Sequence, residues 1–317
     1  MTVSDADLNE FESARGRLFA IAYRMLGSVA DAEDVVQESF LRWQSADRAA
    51  IRTPAAWLTK VVSNLALNRL SSSVVKREQY IGTWLPEPIL DAHPGANPDS
   101  DNPESLAERH ESVSFALLVM LERLSPMERV VFVLREAFGY RHAEIAQFLN
   151  VSESASQQTF HRAQERLGDV RRFEVAPQEA HRIAKVFVEA ALSGDPQQLA
   201  QLLTSDVIAI GDGGGVVPAA RRPFVGREKV ASLVSKFFQA VPNLRQYTEG
   251  LRLYSVVVGG APALLGVKDS SAVALMILDV VDGKISAVRT VANPNKLTHV
   301  YQQWTTHADI HQLPSHW

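Results

Sequence analysis

The chain has no cysteine among its 317 residues. That excludes a disulfide framework, a thiolate nucleophile and a cysteine-bound metal, and it fits a reducing compartment. An apolar stretch of the roughly 20 residues needed to span a bilayer is also missing. The start, Met1-Thr2-Val3-Ser4-Asp5, lacks a basic segment followed by an apolar one, so no export leader is expected. Positive charge is in short supply too. There are 32 Lys and Arg against 36 Asp and Glu, a net charge of −4. A protein that held duplex DNA unaided would need to neutralise phosphates, so a DNA reader of this charge must either keep its basic residues on one face or borrow affinity from a partner. What is present is an ordinary globular composition, with 46% apolar and 21% charged residues. At this length two or three compact units are expected, in the cytoplasm and away from membranes.

Helical periodicity runs from about Leu8 to Lys76. Gly27-Ser28 marks a stop, Asp31 to Trp43 a second helix, and Thr53-Pro54 opens a third, with Ser63-Asn64 as a candidate break. From Tyr80 to Pro103 five prolines, Gly95 and several aspartates predict an extended, mobile linker. Helices resume near Ser105 and run to Arg172. After Pro177 two helices precede strands over Val207–Ile210, Leu251–Val258, Ala263–Val267, Val273–Val281 and Ile285–Val291, with Asp282-Gly283 as a hairpin turn. The expected architecture is therefore multidomain: two all-α domains, over 1–76 and 105–172, joined by a linker over 77–104. A C-terminal α+β domain follows over 177–297, and 298–317 form a loosely attached tail.

The sharpest local signal lies between Ser125 and Leu167. Ser125-Pro126 opens a helix that Gly139 ends, Arg141–Leu149 forms a second, and Asn150-Val151-Ser152 turns into a third. Such a pair of helices about a short turn is a helix-turn-helix. At 100° per residue Ala155, Ser156, Thr159, Ala163 and Leu167 share one side of the third helix, while Gln157, Gln158 and His161 lie opposite, flanked by Arg162. Amides can bond adenine edges and Arg can bond guanine or phosphate, as a recognition helix requires. Spacing alone also allows a helical hairpin with a solvated polar face.

Several runs point to one class. Ala22-Tyr23-Arg24-Met25-Leu26-Gly27-Ser28 with Asp31-Ala32-Glu33-Asp34-Val35-Val36-Gln37-Glu38-Ser39-Phe40, then Pro54-Ala55-Ala56-Trp57-Leu58, then Leu124-Ser125-Pro126 through Arg162-Ala163, resemble an extracytoplasmic-function (ECF) sigma factor. The resemblance covers about residues 8–172. It implies a DNA-directed transcription initiation factor that binds core RNA polymerase. Region two would dock through Asp31, Asp34, Gln37 and Glu38 and read the −10 promoter element with Asn64, Asn68 and Arg69. Region four would read the −35 element with Gln157, Gln158, His161 and Arg162. An acidic helix start suits a basic protein partner and would repel DNA. Trp57 can be read as a stacking aromatic, but its helical register favours core, and the acidic linker would thread a basic polymerase channel.

Residues 179–297 resemble a SnoaL-like, ketosteroid-isomerase-like domain, and one sigma subgroup carries this fusion. Its further marks are Tyr80-Ile81-Gly82-Thr83-Trp84-Leu85-Pro86-Glu87-Pro88, Asp212-Gly213-Gly214-Gly215 and Asn293-Pro294-Asn295-Lys296-Leu297. In the subgroup a Lys follows the glycines, whereas here Val216 stands there. The resemblance implies that Asp212, Gly213, Gly214 and Gly215 form a regulatory loop in contact with the sigma regions. No metal and no cofactor is expected, and a small-molecule ligand is left open. The alternative is a helix-turn-helix regulator with a ligand-sensing or isomerase-like C-terminal domain. For catalysis Asp206, Asp212, Tyr247, Tyr254 and Asp279 are available, without a dyad recognisable from spacing.

Overall fold

A computed structural model describes residues 5–78, 80–91, 114–168, 175–219, 222–239, 249–306 and 311–315. The expected segments at Ser105, at Arg171-Arg172 and over the distal linker, with Asp99, Asp101 and Glu104, lie outside these residues, as does Tyr247. The chain divides into two units. One holds Met1–Gln79 and Leu117–Val170; the other holds Tyr80–Ser100 and Arg171–Trp317.

In the first unit α1 (Asp5–Leu26), α2 (Val29–Ser45) and α3 (Pro54–Glu78) pack around Leu18, Ile21, Met25, Val35, Trp43, Leu58 and Val62, all buried. Ser28 caps α2, its hydroxyl accepting the Asp31 N–H at 3.2 Å, which is the stop read from Gly27-Ser28. Helix α3 runs unbroken past Ser63-Asn64, so that expected break is absent. Its i→i−4 ladder survives there because Asn64 turns its amide outward onto the Lys60 carbonyl at 2.7 Å, and Ser63 is buried.

Helix α4 (Phe115–Leu121) is followed by α5 (Pro126–Phe132), a π-helical turn over Val133–Ala137, α6 (His142–Leu149) and α7 (Glu153–Leu167). Ser125 and Glu128 form the reciprocal capping box of α5. Arg141 lacks a capping hydroxyl, and the Glu144 carboxylate supplies the second half of a box by accepting the Arg141 N–H at 2.8 Å. Asn150 adopts the left-handed conformation that closes α6, φ 55°.

The second unit is an α+β domain, as expected. Helices α8 (Pro177–Leu192) and α9 (Pro196–Leu202) lead into β1 (Leu203–Asp212), β2 (Phe224–Val225) and α10 (Arg227–Phe238). The meander β3 (Arg252–Val258), β4 (Ala261–Lys268), β5 (Ser271–Val281) and β6 (Lys284–Val291) follows, then α11 (Pro294–Thr305) and β7 (His311–Gln312). Among the described residues the sheet order is β2-β1-β6-β5-β4-β3-β7, with β1 parallel to β6 and the other pairs antiparallel. Asp282 and Gly283 both have positive φ, as a tight hairpin turn demands.

Phe187, Leu199, Val230, Val234 and Phe238 of the helices meet Leu253, Leu264, Leu278 and Val288 of the strands in the core. Residues next in line face the opposite side of the sheet, where Tyr254 meets Trp304 of α11 at 4.8 Å between ring centroids. The described residues beyond Leu297 are thus no loose tail. Its helix packs on β5, β7 pairs with β3, and Leu313 is buried.

Candidate functional site

The register of α7 is as the sequence predicts. Ser156, Thr159, Ala163 and Leu167 of α7 are buried, whereas Gln157, Gln158, His161 and Arg162 are exposed. Behind them Glu128, 4% exposed, anchors the framework. It accepts the N–H and hydroxyl of Ser125, and Arg166 at 2.9 Å, and Arg162 stands 3.7 Å away. Burial pushes the Glu128 carboxyl up, but Ser125 and the two guanidinium groups outweigh it and hold the group below its ordinary range. His142 shifts downward, through burial first and then the Arg135 charge, and its Nδ1 lies 3.0 Å from the Ser156 hydroxyl. The helix-turn-helix is therefore braced by one fixed carboxylate and one imidazole that resists protonation.

In region two the structure joins residues that the sequence assigned to separate tasks. Arg69 bonds Asp31 at 2.9 Å and Asp34 at 2.5 Å. Burial opposes its charge, yet the hydrogen bonds and charges of Asp34 and Asp31 prevail and raise its pKa. Glu38 pairs with Arg42 at 2.7 Å, and Gln37 is exposed. Between them on α2 lies Leu41, 57% exposed, an apolar centre in a polar face. Asn68 is exposed on α3, whereas Asn64 is half-buried and donates to the Phe148 carbonyl at 2.8 Å.

Sequence reasoning overlooked the connection between α2 and α3. Ala46, Asp47, Ala50, Ile51, Arg52, Thr53 and Trp57 line an open depression of about 510 Å³. Trp57 forms one wall, only half-buried, with its ring 5.7 Å from that of the buried Trp43. The helical register that assigned Trp57 to the core was half right, because the side chain is only half-buried and lines the depression. A short polar stretch such as Ser45-Ala46-Asp47 carries no signal of a pocket by itself.

In the second unit, the proximal linker has a fixed seat. Leu85, Pro86, Glu87 and Pro88 are buried. Asp212 closes β1 with 1% exposure and is the hub. One oxygen accepts the Tyr80 hydroxyl at 2.5 Å and the Gly214 N–H at 3.0 Å; the other accepts the Leu85 N–H at 2.9 Å and the Lys296 ammonium at 2.7 Å. Lys296 also donates to the Leu85 carbonyl and sits 4.1 Å from the Trp84 ring centroid, a cation–π contact. Asn293 donates to the Tyr80 oxygen at 2.8 Å. Burial, then the Asp212 hydrogen bond and charge, raise the Tyr80 pKa, so its proton stays in place.

The glycine loop is shaped to this seat. A Cβ on Gly213 would stand 1.9 Å from the Val217 carbonyl oxygen, and one on Gly214 would stand 2.4 Å from the Asn293 amide. Further along, Asp91 accepts the Gly259 and Gly260 N–H groups at 2.8 and 2.7 Å. Val216 is 69% exposed, and the positive charge that meets Asp212 comes from Lys296. The three marks of the sequence, distant along the chain, thus converge on one carboxylate. The expectation of a mobile linker fails for residues 80–91, because polar partners more than a hundred residues away hold it.

Of the carboxylates and phenols considered for catalysis, Asp206 is exposed, Asp212 is consumed by the seat and Tyr254 stacks on Trp304. Asp279 is 2% exposed and pairs with Arg289 at 2.5 Å, with burial raising its pKa against the pull of that guanidinium. No group of three or more metal-binding side chains occurs among the described residues, and no described helix is long and apolar enough to cross a membrane.

Comparison with known proteins agrees with the geometry. Residues 11–74 match the Sigma-70 region 2 family and residues 114–167 match Sigma-70 region 4. The chain is 37% identical over 305 residues to the ECF RNA polymerase sigma factor SigJ of Mycobacterium tuberculosis, covering 92% of this chain and 93% of that protein. It is 31% identical to the probable ECF RNA polymerase sigma factor SigI of the same species, covering 89% and 92%. A crystal structure of Mycobacterium tuberculosis SigJ superimposes with a TM-score of 0.69 at 35% identity, covering 92% of this chain and 98% of that one. With both sigma regions matched and near-full-length relatives at this identity, the chain belongs to the ECF RNA polymerase sigma factor family.

Proposed function

We propose that the chain acts in the cytoplasm as a promoter-specificity subunit of RNA polymerase, without catalysis of its own, and that its C-terminal domain governs it in cis. The observation that carries the first half is the exposed polar face of α7, with Gln157, Gln158, His161 and Arg162 outward on a braced framework. That face reads the −35 element in the major groove. In region two Asn64, Asn68 and Arg69 serve the −10 element, and the Trp57 depression offers an aromatic wall on which an unstacked base can rest. The acidic face of α2, with Asp31, Asp34, Gln37 and Glu38 around the exposed Leu41, suits a basic polymerase surface. An apolar centre with a charged rim is the common anatomy of such an interface.

The second half rests on the Asp212 hub. A linker fastened at Tyr80, Leu85 and Asp91 is unavailable to polymerase, so the domain controls the linker's supply. The test is in vitro transcription with core polymerase and the full chain. Single Ala substitutions at Gln158, His161 and Arg162 are expected to weaken −35 recognition by about 1–3 kcal/mol per lost base contact, with core binding retained. Loss of core binding with promoter preference intact would overturn the assignment of α7.

A further inference from the structure

Seven large apolar side chains are exposed among the described residues, and three of them lie together at one margin of the C-terminal sheet. Phe224 and Val225 form β2, the outermost strand, at 37% and 56% exposure. Leu233, at 36%, lies on α10, which follows β2 and packs beside it. Helix α10 commits Val230, Ala231, Val234 and Phe238 to the core, which turns its other side outward. On that side Lys229, Leu233 and Lys236 follow at i, i+4 and i+7, one stripe of the 3.6-residue period. Arg222 extends the basic rim just before β2. No ion pair engages Arg222, Lys229 or Lys236 among the described residues, and Glu228 is the single acid between 222 and 236.

An apolar centre inside a basic rim has the anatomy of a protein interface, and its charge calls for an acidic partner. The same patch on a second copy would set lysine against lysine, so the complement lies elsewhere. This chain carries one. On α2 Asp34, Glu38 and Leu41 share an exposed stripe, also at i, i+4 and i+7, with Leu41 at 57% exposure. Two such helices laid antiparallel, Leu41 against Leu233, bring Glu38 opposite Lys236. Each of the two charges lies three residues, about 4.5 Å, along its own axis from the leucine. The surface pair of Glu38 with Arg42 is worth little and does not hold Glu38 back.

We propose that α2 of one copy docks on the β2–α10 margin of a second copy, and that the reciprocal contact closes a two-fold pair. Two equivalent contacts related by a two-fold axis satisfy both patches at two chains, where a one-way contact would grow into a filament. The pairing itself rests on the two stripes. Its consequence rests on our reading of α2 as the polymerase-docking face, since a paired chain has that face covered. A second copy and core polymerase then compete for one surface, and mass action makes chain concentration set the share of chains able to enter polymerase.

Sedimentation of the full chain across a concentration series tests the pairing. A monomer–dimer equilibrium that weakens with added salt is expected. Glu38→Lys and Lys236→Glu each place like charges at both contacts and should weaken the pair about tenfold or more. Leu233→Ser should weaken it without a change of charge, and circular dichroism checks that these exposed substitutions leave the fold intact. Mixed together, the Glu38→Lys chain and the Lys236→Glu chain present opposite charges at both contacts, and pairing should return. A parent chain that stays monomeric throughout, or a mixture that pairs no better than its parts, overturns the proposal. Binding to trace core polymerase separates the pairing from the docking role of α2. Half-saturation should need more parent chain than Lys236→Glu chain, because only unpaired chains bind. If the parent pairs yet both half-saturate alike, the pair stands and the docking role falls. If Glu38→Lys loses core binding and no pairing is seen, the docking role stands and the pair falls.

Discussion

At the scale of the residue, Glu128 shows how one side chain can hold a reading surface. It is not on α7, yet it fixes Arg166 and the start of α5 at once. Replacing it with Ala should cost about 2–3 kcal/mol, the worth of hydrogen bonds to a buried charge, and blunt −35 selectivity without touching DNA. Its depressed pKa gives stability that is full above the unfolded value of 4.5 and lost as pH falls through the folded one. His142 acts earlier. With a folded pKa below 6.5, the unfolded chain takes up protons first, so stability declines as pH drops from 6.5 toward the folded value. Thermal melts between pH 7 and pH 5 should show a steeper decline for the parent chain than for His142→Gln. Equal slopes would show that the imidazole ionises freely in the fold. The inward and outward faces of α7 were legible in the sequence because 100° per residue is a local rule, and the same is true of the Asp282-Gly283 turn. The role of Glu128 as an anchor was not, because it depends on which helix lands beside it.

At the scale of the element, extended segments were recognised and their fates were not. Prolines at 86 and 88 correctly forbid a helix, but they say nothing about whether the strand-like chain is solvated or seated. The seat depends on Asp212 and Lys296, which only the folded sheet brings to the linker. The same blindness applies to the depression before α3, where the pocket arises from a loop laid across Trp57. Loss of Asp212 is expected to be more damaging than loss of Lys296. Asp212→Ala leaves the Leu85 N–H and the Tyr80 hydroxyl without their acceptor and the part-buried Lys296 with the Leu85 carbonyl alone, whereas Lys296→Met keeps the stem over Trp84. Limited proteolysis should cut Lys296→Met within the 80–91 segment well before the parent chain, with the rest of the domain resistant. Parallel loss of resistance across the whole C-terminal domain would mean that the seat is part of the core and not a separable clasp.

At the scale of the whole molecule, a net charge of −4 limits what the protein does alone. Exposed Arg162 and Arg166 are both within reach of Glu128, and Arg69 is spent on Asp31 and Asp34. The free chain should therefore show little affinity for promoter duplex at physiological salt, and specific binding should emerge only with core polymerase. Electrophoretic mobility shifts across a salt series would measure this. Tight, salt-sensitive binding by the free chain would contradict it. The class of the protein was legible at this scale, since the two sigma regions each carry a run of residues specific to their task. The contacts between them were not, because Tyr140, which hydrogen-bonds Thr59 and Arg17, is unremarkable in sequence and acquires meaning only from its neighbours.

The strand β7 carries a consequence for anyone who edits this chain. By pairing Gln312 with Tyr254 and His311 with Ser255, it sheathes one margin of the sheet. A stop codon placed near Leu297 would strip that sheath together with Trp304, leaving the β3 backbone as a raw, hydrogen-bond-hungry border inviting self-association. Deletion series meant to ask what the C-terminal domain regulates would then report on clumping instead. Chain shortening should spare residues through Leu313.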